Sequence, residues 1–270
     1  MALTHDTRLA TFRCMNIDYG RTAKDYGRHR AGFPEAFFDR LSAFGIGRPG
    51  QRVLDFGTGT GTVARGLARR GCDVTGLDPA AALIEEARRL DREAGVEVAY
   101  VVGRAESSGL PAGKFEAVTA GQCWHWLDRR LAAEEARRLL VPGGALVIAH
   151  FDWLPLAGSV VEATERLILA HNPAWPYAGL NGIHSQFLGD VSGAGFTALE
   201  TFSFDVDVSY GHETWRGRIR ASAGVAASLP RERVARFDEA HAAMLAKDFP
   251  EDPLAIPHRV WAIVARAPAR

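Results

Sequence analysis

Val53-Leu54-Asp55-Phe56-Gly57-Thr58-Gly59-Thr60-Gly61-Thr62 is the stretch on which the reading of this chain turns. Apolar residues and an acid run straight into three glycines at alternate positions. Val63 and Leu67, spaced i, i+4, open an amphipathic segment behind them. That is a strand, a tight turn and a helix. Glycine adopts positive φ at little cost and lets a ligand approach the backbone closely, so the turn is a candidate binding loop. Its neighbours argue against anionic ligands. A dinucleotide fingerprint, G-x-G-x-x-G, needs glycine at position 62, where this chain has Thr62. Asp55, two residues before the first glycine, would set a carboxylate against a pyrophosphate in a low-dielectric crevice. No lysine follows the glycines, as a P-loop requires. An acid beside such a turn suits a cation; the plain alternative is a carboxylate that only accepts hydrogen bonds from the loop amides.

From Arg52 to Phe151 the same alternation repeats. Short apolar runs (Val53-Leu54, Val74 to Leu77, Val96 to Val102, Phe115 to Ala120, Ala145 to Ala149) are separated by helical stripes. One stripe carries Leu83, Ala87 and Leu90, another Leu131 and Leu139. Gly71 and Gly95 stand where helices end, and Pro142-Gly143-Gly144 is read as the turn before the fifth run. Glu85 with Arg89, and Glu134 with Arg138, are spaced for i, i+4 pairs on solvated faces. Strand and helix in alternation predict a doubly wound α/β fold. Beyond it, residues 152–184 contain Pro155, Pro173 and Pro176 around a short helical stripe and read as an insertion after the fifth strand. Phe202, Phe204, Val206 and Val208 alternate with Ser203, Asp205 and Asp207, the period of a half-exposed strand. Helical segments around Trp215 and from Val234 to Leu245 follow, with His241 expected at a core edge. Val260 to Ala265 is a last buried strand.

Composition narrows the classes. At 270 residues with 47% hydrophobic and 24% charged side chains, the chain is globular rather than disordered or fibrous. Lys+Arg and Asp+Glu are both 32, so no global field draws it to nucleic acid or an anionic membrane. Cys14, Cys72 and Cys123 have neither disulfide-framework nor metal-ligand spacing, and no metal site is expected. No stretch approaches ~20 apolar residues, and charged residues interrupt the N-terminus. A cytoplasmic protein is expected, as monomer or homodimer.

Asp55 followed by G-x-G-x-G, with Asp78 ending the second strand, resembles the first motifs of class I S-adenosylmethionine-dependent methyltransferases. Gly103-Arg104-Ala105-Glu106 with Leu110-Pro111, Gln122-Cys123-Trp124-His125-Trp126-Leu127-Asp128 and Leu140-Val141-Pro142-Gly143-Gly144-Ala145-Leu146 follow in the family's order. Tyr26, Arg30 and Phe33-Pro34 resemble the N-terminal helix of the branch that includes trans-aconitate and ubiquinone/menaquinone-biosynthesis methyltransferases. The resemblance covers about residues 19 to 151. It implies a seven-stranded, mostly parallel Rossmann-like sheet in one domain. Cap helices would fill 1–45, the cofactor core 46–151 and a helical lid 152–184. Residues 185–270 would complete the sheet, with a helical segment at 211–250 and a final antiparallel strand. It also implies S-adenosylmethionine as cofactor, held by Tyr26, Arg30, Asp55, Gly57, Thr58, Gly59, Gly61, Asp78, Pro79, Ala105, Glu106 and Gln122. Asp78 would take the ribose hydroxyls, though Asp-Pro is also a helix N-cap with proline at N1.

Methyl transfer from a sulfonium asks the protein mainly to align the nucleophile and exclude water. A general base is needed only where the acceptor must lose a proton. His125, after the fourth strand where open α/β sheets bind ligands, is the candidate base; otherwise it packs between Trp124 and Trp126. His184 and His171 are weaker candidates. Trp124, Trp126, Trp153 and Trp175 are the candidate lining of an acceptor pocket. The expected acceptor is a small molecule. Three rivals stand: an NAD(P)-dependent oxidoreductase, a non-catalytic cofactor-binding regulator, and a nucleic-acid methyltransferase. The last lacks both a basic track and an N-P-P-Y-like turn after strand four.

Overall fold

The computed structural model describes residues 31–269; Tyr26, Arg30 and most of the expected 1–45 cap lie outside them. The chain divides into two compact units. One holds Ala31–Trp153, Gly182–Val206 and the chain from Pro257; the other holds Leu154–Asn181 and Asp207–Ile256. The expected insertion and the later helical segment thus fall largely in the second unit together.

The first unit opens with helix α1 (Glu35–Ala43) and then alternates: β1 (Arg52–Phe56), α2 (Thr62–Arg69), β2 (Asp73–Asp78), α3 (Ala81–Ala94), β3 (Ala99–Val102), β4 (Phe115–Gly121), α4 (Arg129–Leu139) and β5 (Leu140–Trp153). Helix α6 (Phe187–Gly193) precedes β6 (Thr197–Tyr210), and β7 (Leu254–Arg266) closes the sheet. The strand order is β3-β2-β1-β4-β5-β7-β6. Pairs β1/β2, β1/β4, β2/β3 and β4/β5 are parallel, and β5/β7 is antiparallel. The doubly wound, seven-stranded fold with an antiparallel last strand is therefore the one observed.

Strand side chains alternate between faces, so Leu54, Phe56, Val118, Ala120, Leu146 and Ile148 share one buried cluster with α4 and α6. Each large apolar side chain so buried stabilises by roughly 1.5–3 kcal/mol. Helix α1 packs on α2, where a Cβ on Gly66 would stand 2.1 Å from the Phe38 ring. The inner surface of α4 differs from the expected Leu131–Leu139 stripe. Leu131 is exposed, and Ala132, Ala133, Ala136 and Leu139 face the core. Small side chains let that helix lie close to the sheet. Pro142-Gly143-Gly144 also does not end a loop. It lies within β5 as an irregularity, since Phe115 pairs with Leu140 and Ala117 with Ala145.

The second unit contains α5 (Val160–His171), α7 (His212–Arg220) and α8 (Arg231–Asp248). Its core carries a polar knot. The Thr164 hydroxyl donates to the Val160 carbonyl at 2.7 Å and accepts from Trp215 Nε1 at 3.3 Å, with His241 Nε2 at 3.2 Å. His241 is fully buried rather than at a core edge, and burial lowers its pKa to about 4. No helix among the described residues is long and apolar enough to cross a membrane.

Candidate functional site

The glycine turn sits at the C-terminal ends of the parallel strands, where β1 and β4 are neighbours and the strand order reverses. Gly57 and Gly59 have φ of 54° and 55°. A Cβ on Gly57 would meet Cys123 Cβ at 2.6 Å, whereas a Cβ on Gly59 would meet nothing closer than the Gly57 carbonyl at 4.0 Å. The first glycine is demanded by packing. The second leaves bare backbone with open space above it, a cradle for a ligand.

Asp55 lies beneath this turn and is 2% exposed. Its partners are hydroxyls as well as an amide. Thr58 Oγ1 donates to one carboxylate oxygen at 2.7 Å and Thr119 Oγ1 to the other at 2.6 Å. Burial raises its pKa to about 6; the Thr119 and Thr58 bonds and the Ala64 amide oppose that, and the Asp78 charge adds to it. Asp78 ends β2 and reaches back to the turn. One oxygen accepts from the Gly59 amide at 2.9 Å, the other from the Ala80 amide at 2.8 Å. It is not the N-cap of α3, because the cap position is Ala80 and the helix starts at Ala81. Pro79 therefore precedes the cap instead of occupying the first helical position. A carboxylate offers about four acceptor sites, and Asp78 spends two on the backbone. Burial pushes its pKa up against those two bonds.

A brace behind the turn has no motif in the sequence. Arg65 donates to the Thr60 carbonyl at 2.8 Å and pairs with Asp91 at 2.8 Å; the Tyr100 hydroxyl donates to the other Asp91 oxygen at 2.7 Å. Arg65 and Asp91 side chains are 12% and 6% exposed, so this is a buried triad tying α2, α3 and β3 to the glycine turn.

On the β3 side, Ala105 is buried, Val102 is exposed, and Glu106 accepts from the Asp128 amide at 3.1 Å. This loop is anchored by Glu135, which accepts from the Ser108 amide at 2.9 Å and hydroxyl at 2.6 Å. The Arg138 fork and these Ser108 bonds lower the Glu135 carboxyl to about 2 in spite of burial. Arg138 thus pairs with Glu135, not Glu134, and Arg89 pairs with Glu86 and Glu93, not Glu85. The expected acids pair instead with other arginines on their own helices, Glu85 with Arg88 and Glu134 with Arg130.

Beyond β4, Gln122 has φ of 62°, a left-handed conformation that costs a non-glycine residue energy and that clusters at functional sites. Its side-chain amide donates to the Phe151 carbonyl and lies 3.4 Å from Asp152 Oδ1. Trp124 has no exposed surface, and its indole donates to Asp190 at 3.2 Å. A ring so enclosed packs the core and does not line a pocket. Trp126 is 37% exposed and its ring lies 4.6 Å from that of His125. Trp153, at the end of β5, is half-buried; Trp175 belongs to the second unit, where it packs on Gly224.

His125 does not act in isolation. Its ring centroid is 5.2 Å from that of His150, which stacks on His184 at 3.9 Å. His184 Nε2 meets Asp152 Oδ2 at 2.7 Å, with His150 Nδ1 at 3.8 Å from the same oxygen. Burial pushes the Asp152 carboxyl up, but the His184 bond and the fields of His150, His184 and His125 together hold it well below the usual range. His150 and Asp152 were missed from the sequence. Their i, i+2 spacing on a strand sets both on one face, but nothing announces that residue 184 returns to them. His171, the other weak candidate, lies in the second unit at the end of α5.

A glycine turn leaving β1, an acid closing β2 and an antiparallel β7 between β5 and β6 make this the α/β methyltransferase fold. Residues 54–148 match the family model described as Methyltransferase domain. It is 34% identical over 155 residues to the uncharacterized methyltransferase Rv3342 of Mycobacterium tuberculosis, a match covering 55% of this chain and 60% of that protein. It is 39% identical over 113 residues to the ubiquinone biosynthesis O-methyltransferase of Alkalilimnicola ehrlichii, covering 40% of this chain and 45% of the relative. The chain therefore spans at most about 60% of the length of these curated relatives. A solved structure of a candidate type II methyltransferase from Anaeromyxobacter dehalogenans superposes with a TM-score of 0.63 at 24% identity, over 89% of this chain and 99% of that one.

Proposed function

We propose that the protein transfers the methyl group of S-adenosylmethionine to an oxygen of a small-molecule acceptor. One observation carries the donor half of this reading. Asp78 is anchored by the Gly59 and Ala80 amides and keeps about two acceptor sites at the head of an open glycine turn. Those sites suit paired ribose hydroxyls. The residues present fit the donor: bare backbone at Gly59, an apolar surface at Val102 with Pro79 beside it, and the buried Ala105 turn with Glu106 for the base. Asp55 and Thr58 hold the turn's floor, and Gln122 borders the side toward His125.

S-adenosylmethionine, when bound, supplies an electrophilic methyl group, so the protein's own work is placement and proton removal. The His125 imidazole accepts the proton of an acceptor hydroxyl. Trp126 and Trp153 shield that proton from water. The oxygen assignment draws on the relative named as an O-methyltransferase and on the concentration of imidazoles beyond β4 and β5, since an alcohol or phenol must lose a proton while a sulfur or amine nucleophile often need not.

Calorimetric titration with S-adenosylhomocysteine tests the donor half. Asp78→Ala should weaken binding by at least ~10-fold, about 1.4 kcal/mol. Unchanged affinity, or tighter binding of NADH by the wild type, would refute it. Incubation of a metabolite extract with methyl-labelled donor, read by mass spectrometry, tests the acceptor half; label arriving only on nitrogen, carbon or sulfur would overturn the oxygen assignment.

A further inference from the structure

We propose that His150, Asp152 and His184 form a binding site for a divalent first-row transition-metal cation. His150 and Asp152 project from the same face of β5 near its C-terminal end, and His184 closes on them from the segment before α6. One ligand atom from each lies within 4.8 Å of the others. Asp152 Oδ2 is the hub, 2.7 Å from His184 Nε2 and 3.8 Å from His150 Nδ1. Bonds of ~2.1 Å at right angles set neighbouring ligand atoms ~3 Å apart; Asp152 and His184 already stand near that spacing, and His150 must move inward to complete the shell.

The donor set is two imidazoles and one carboxylate, which leaves coordination positions open and suits iron(II), manganese(II), cobalt(II) or zinc(II) rather than calcium or magnesium. The surroundings fit as well. His150 and His184 are 1% and 9% exposed, so solvent competes little. Phe187 stacks on His184 at 5.4 Å and lies 5.4 Å from His150, and Trp261 stands 5.6 Å from His184. These rings form an apolar wall that fixes imidazole orientation. The second Asp152 oxygen lies 3.4 Å from the Gln122 amide, which orients the carboxylate from outside the ligand shell. Two stacked histidines sharing one acid also make a hydrogen-bonded knot with no ion in it, and the two arrangements separate by experiment.

Metal binding is measured without donor or acceptor, so its outcome is independent of methyl transfer. The full, untagged chain, freed of metal by chelator and dialysis, is titrated with cobalt(II), zinc(II) and manganese(II) by calorimetry. Cobalt binding is also followed by visible absorption. One equivalent per chain is expected for at least one cation, with cobalt bands that respond to His184 replacement. Asp152→Asn and His184→Gln, chosen to keep side-chain volume and checked for folding by circular dichroism, should each weaken binding by at least ~10-fold. Absence of saturable binding of all three cations, or equal affinity in both folded variants, overturns the proposal.

Discussion

Asp55 occupies the least comfortable position in the glycine turn. Its carboxyl is pushed from the ordinary 3.8 to about 6, chiefly by burial, with the two threonine hydroxyls working in the opposite direction. A folded-state value above the ordinary one means that the group favours the fold fully below about pH 3.8 and loses that contribution as pH rises through 6. Asp55→Asn should therefore become more stable than wild type between pH 4 and pH 7, by at most about 3 kcal/mol. Thermal melts at the two pH values check the sign; a stability gap that shrinks on raising the pH would contradict it. Retention of a destabilising charge at a binding turn is the usual trade between stability and function. His125 gives the complementary case. His125→Ala should reduce methyl-transfer kcat by about 10²–10⁴-fold while donor affinity, measured by calorimetry, stays within roughly twofold. A wild-type rate in that variant removes it as the base.

Elements α2, α3 and β3 are tied to the glycine turn by one buried polar triad. Arg65 and Asp91 are too enclosed for solvent to replace either partner. Asp91→Ala would leave the guanidinium with its carbonyl contacts alone and should cost about 3 kcal/mol of stability, within the range for breaking a buried pair. Urea unfolding should show a lower midpoint with an unchanged m-value; a midpoint within error of wild type would show that Thr60 and Ala87 carbonyls suffice for Arg65. The same scale shows where pattern reading fails. The apolar face of α2 was legible, because Val63 and Leu67 are large and both buried. That of α4 was not: its inner surface is mainly alanine, while Leu131 faces water. Hydrophobic size identifies an inner face only where the gap to be filled is wide.

The whole chain is formally neutral, with 32 cationic and 32 anionic side chains, so its pH response comes from a few buried groups rather than a global field. His241 opposes Asp55. Burial lowers its pKa from 6.5 to about 4, so its neutral form supports the fold above pH 6.5 and that support is lost as pH falls toward 4. His241→Leu should abolish this loss, and the melting-temperature difference between variant and wild type should shift in the variant's favour on going from pH 7 to pH 5. A constant difference would show that the buried imidazole does not govern the acid limb. Asp55 and His241 lie in different compact units, and a double variant should show their effects as additive.

Strand–turn–helix order, the acids at 55 and 78 and the glycine spacing were readable from the chain alone, because each depends on neighbours within a few residues. Local steric rules and the period of apolar side chains act at that range. The partners of Asp55, the triad of Arg65, Asp91 and Tyr100, and the meeting of His150, Asp152 and His184 were decided only by tertiary structure. The links Arg65–Asp91, Asp152–His184 and Asp55–Thr119 span 26, 32 and 64 residues. What brings them within hydrogen-bond reach is the packing of strands, helices and loops from distant parts of the chain, which no local pattern of residues expresses.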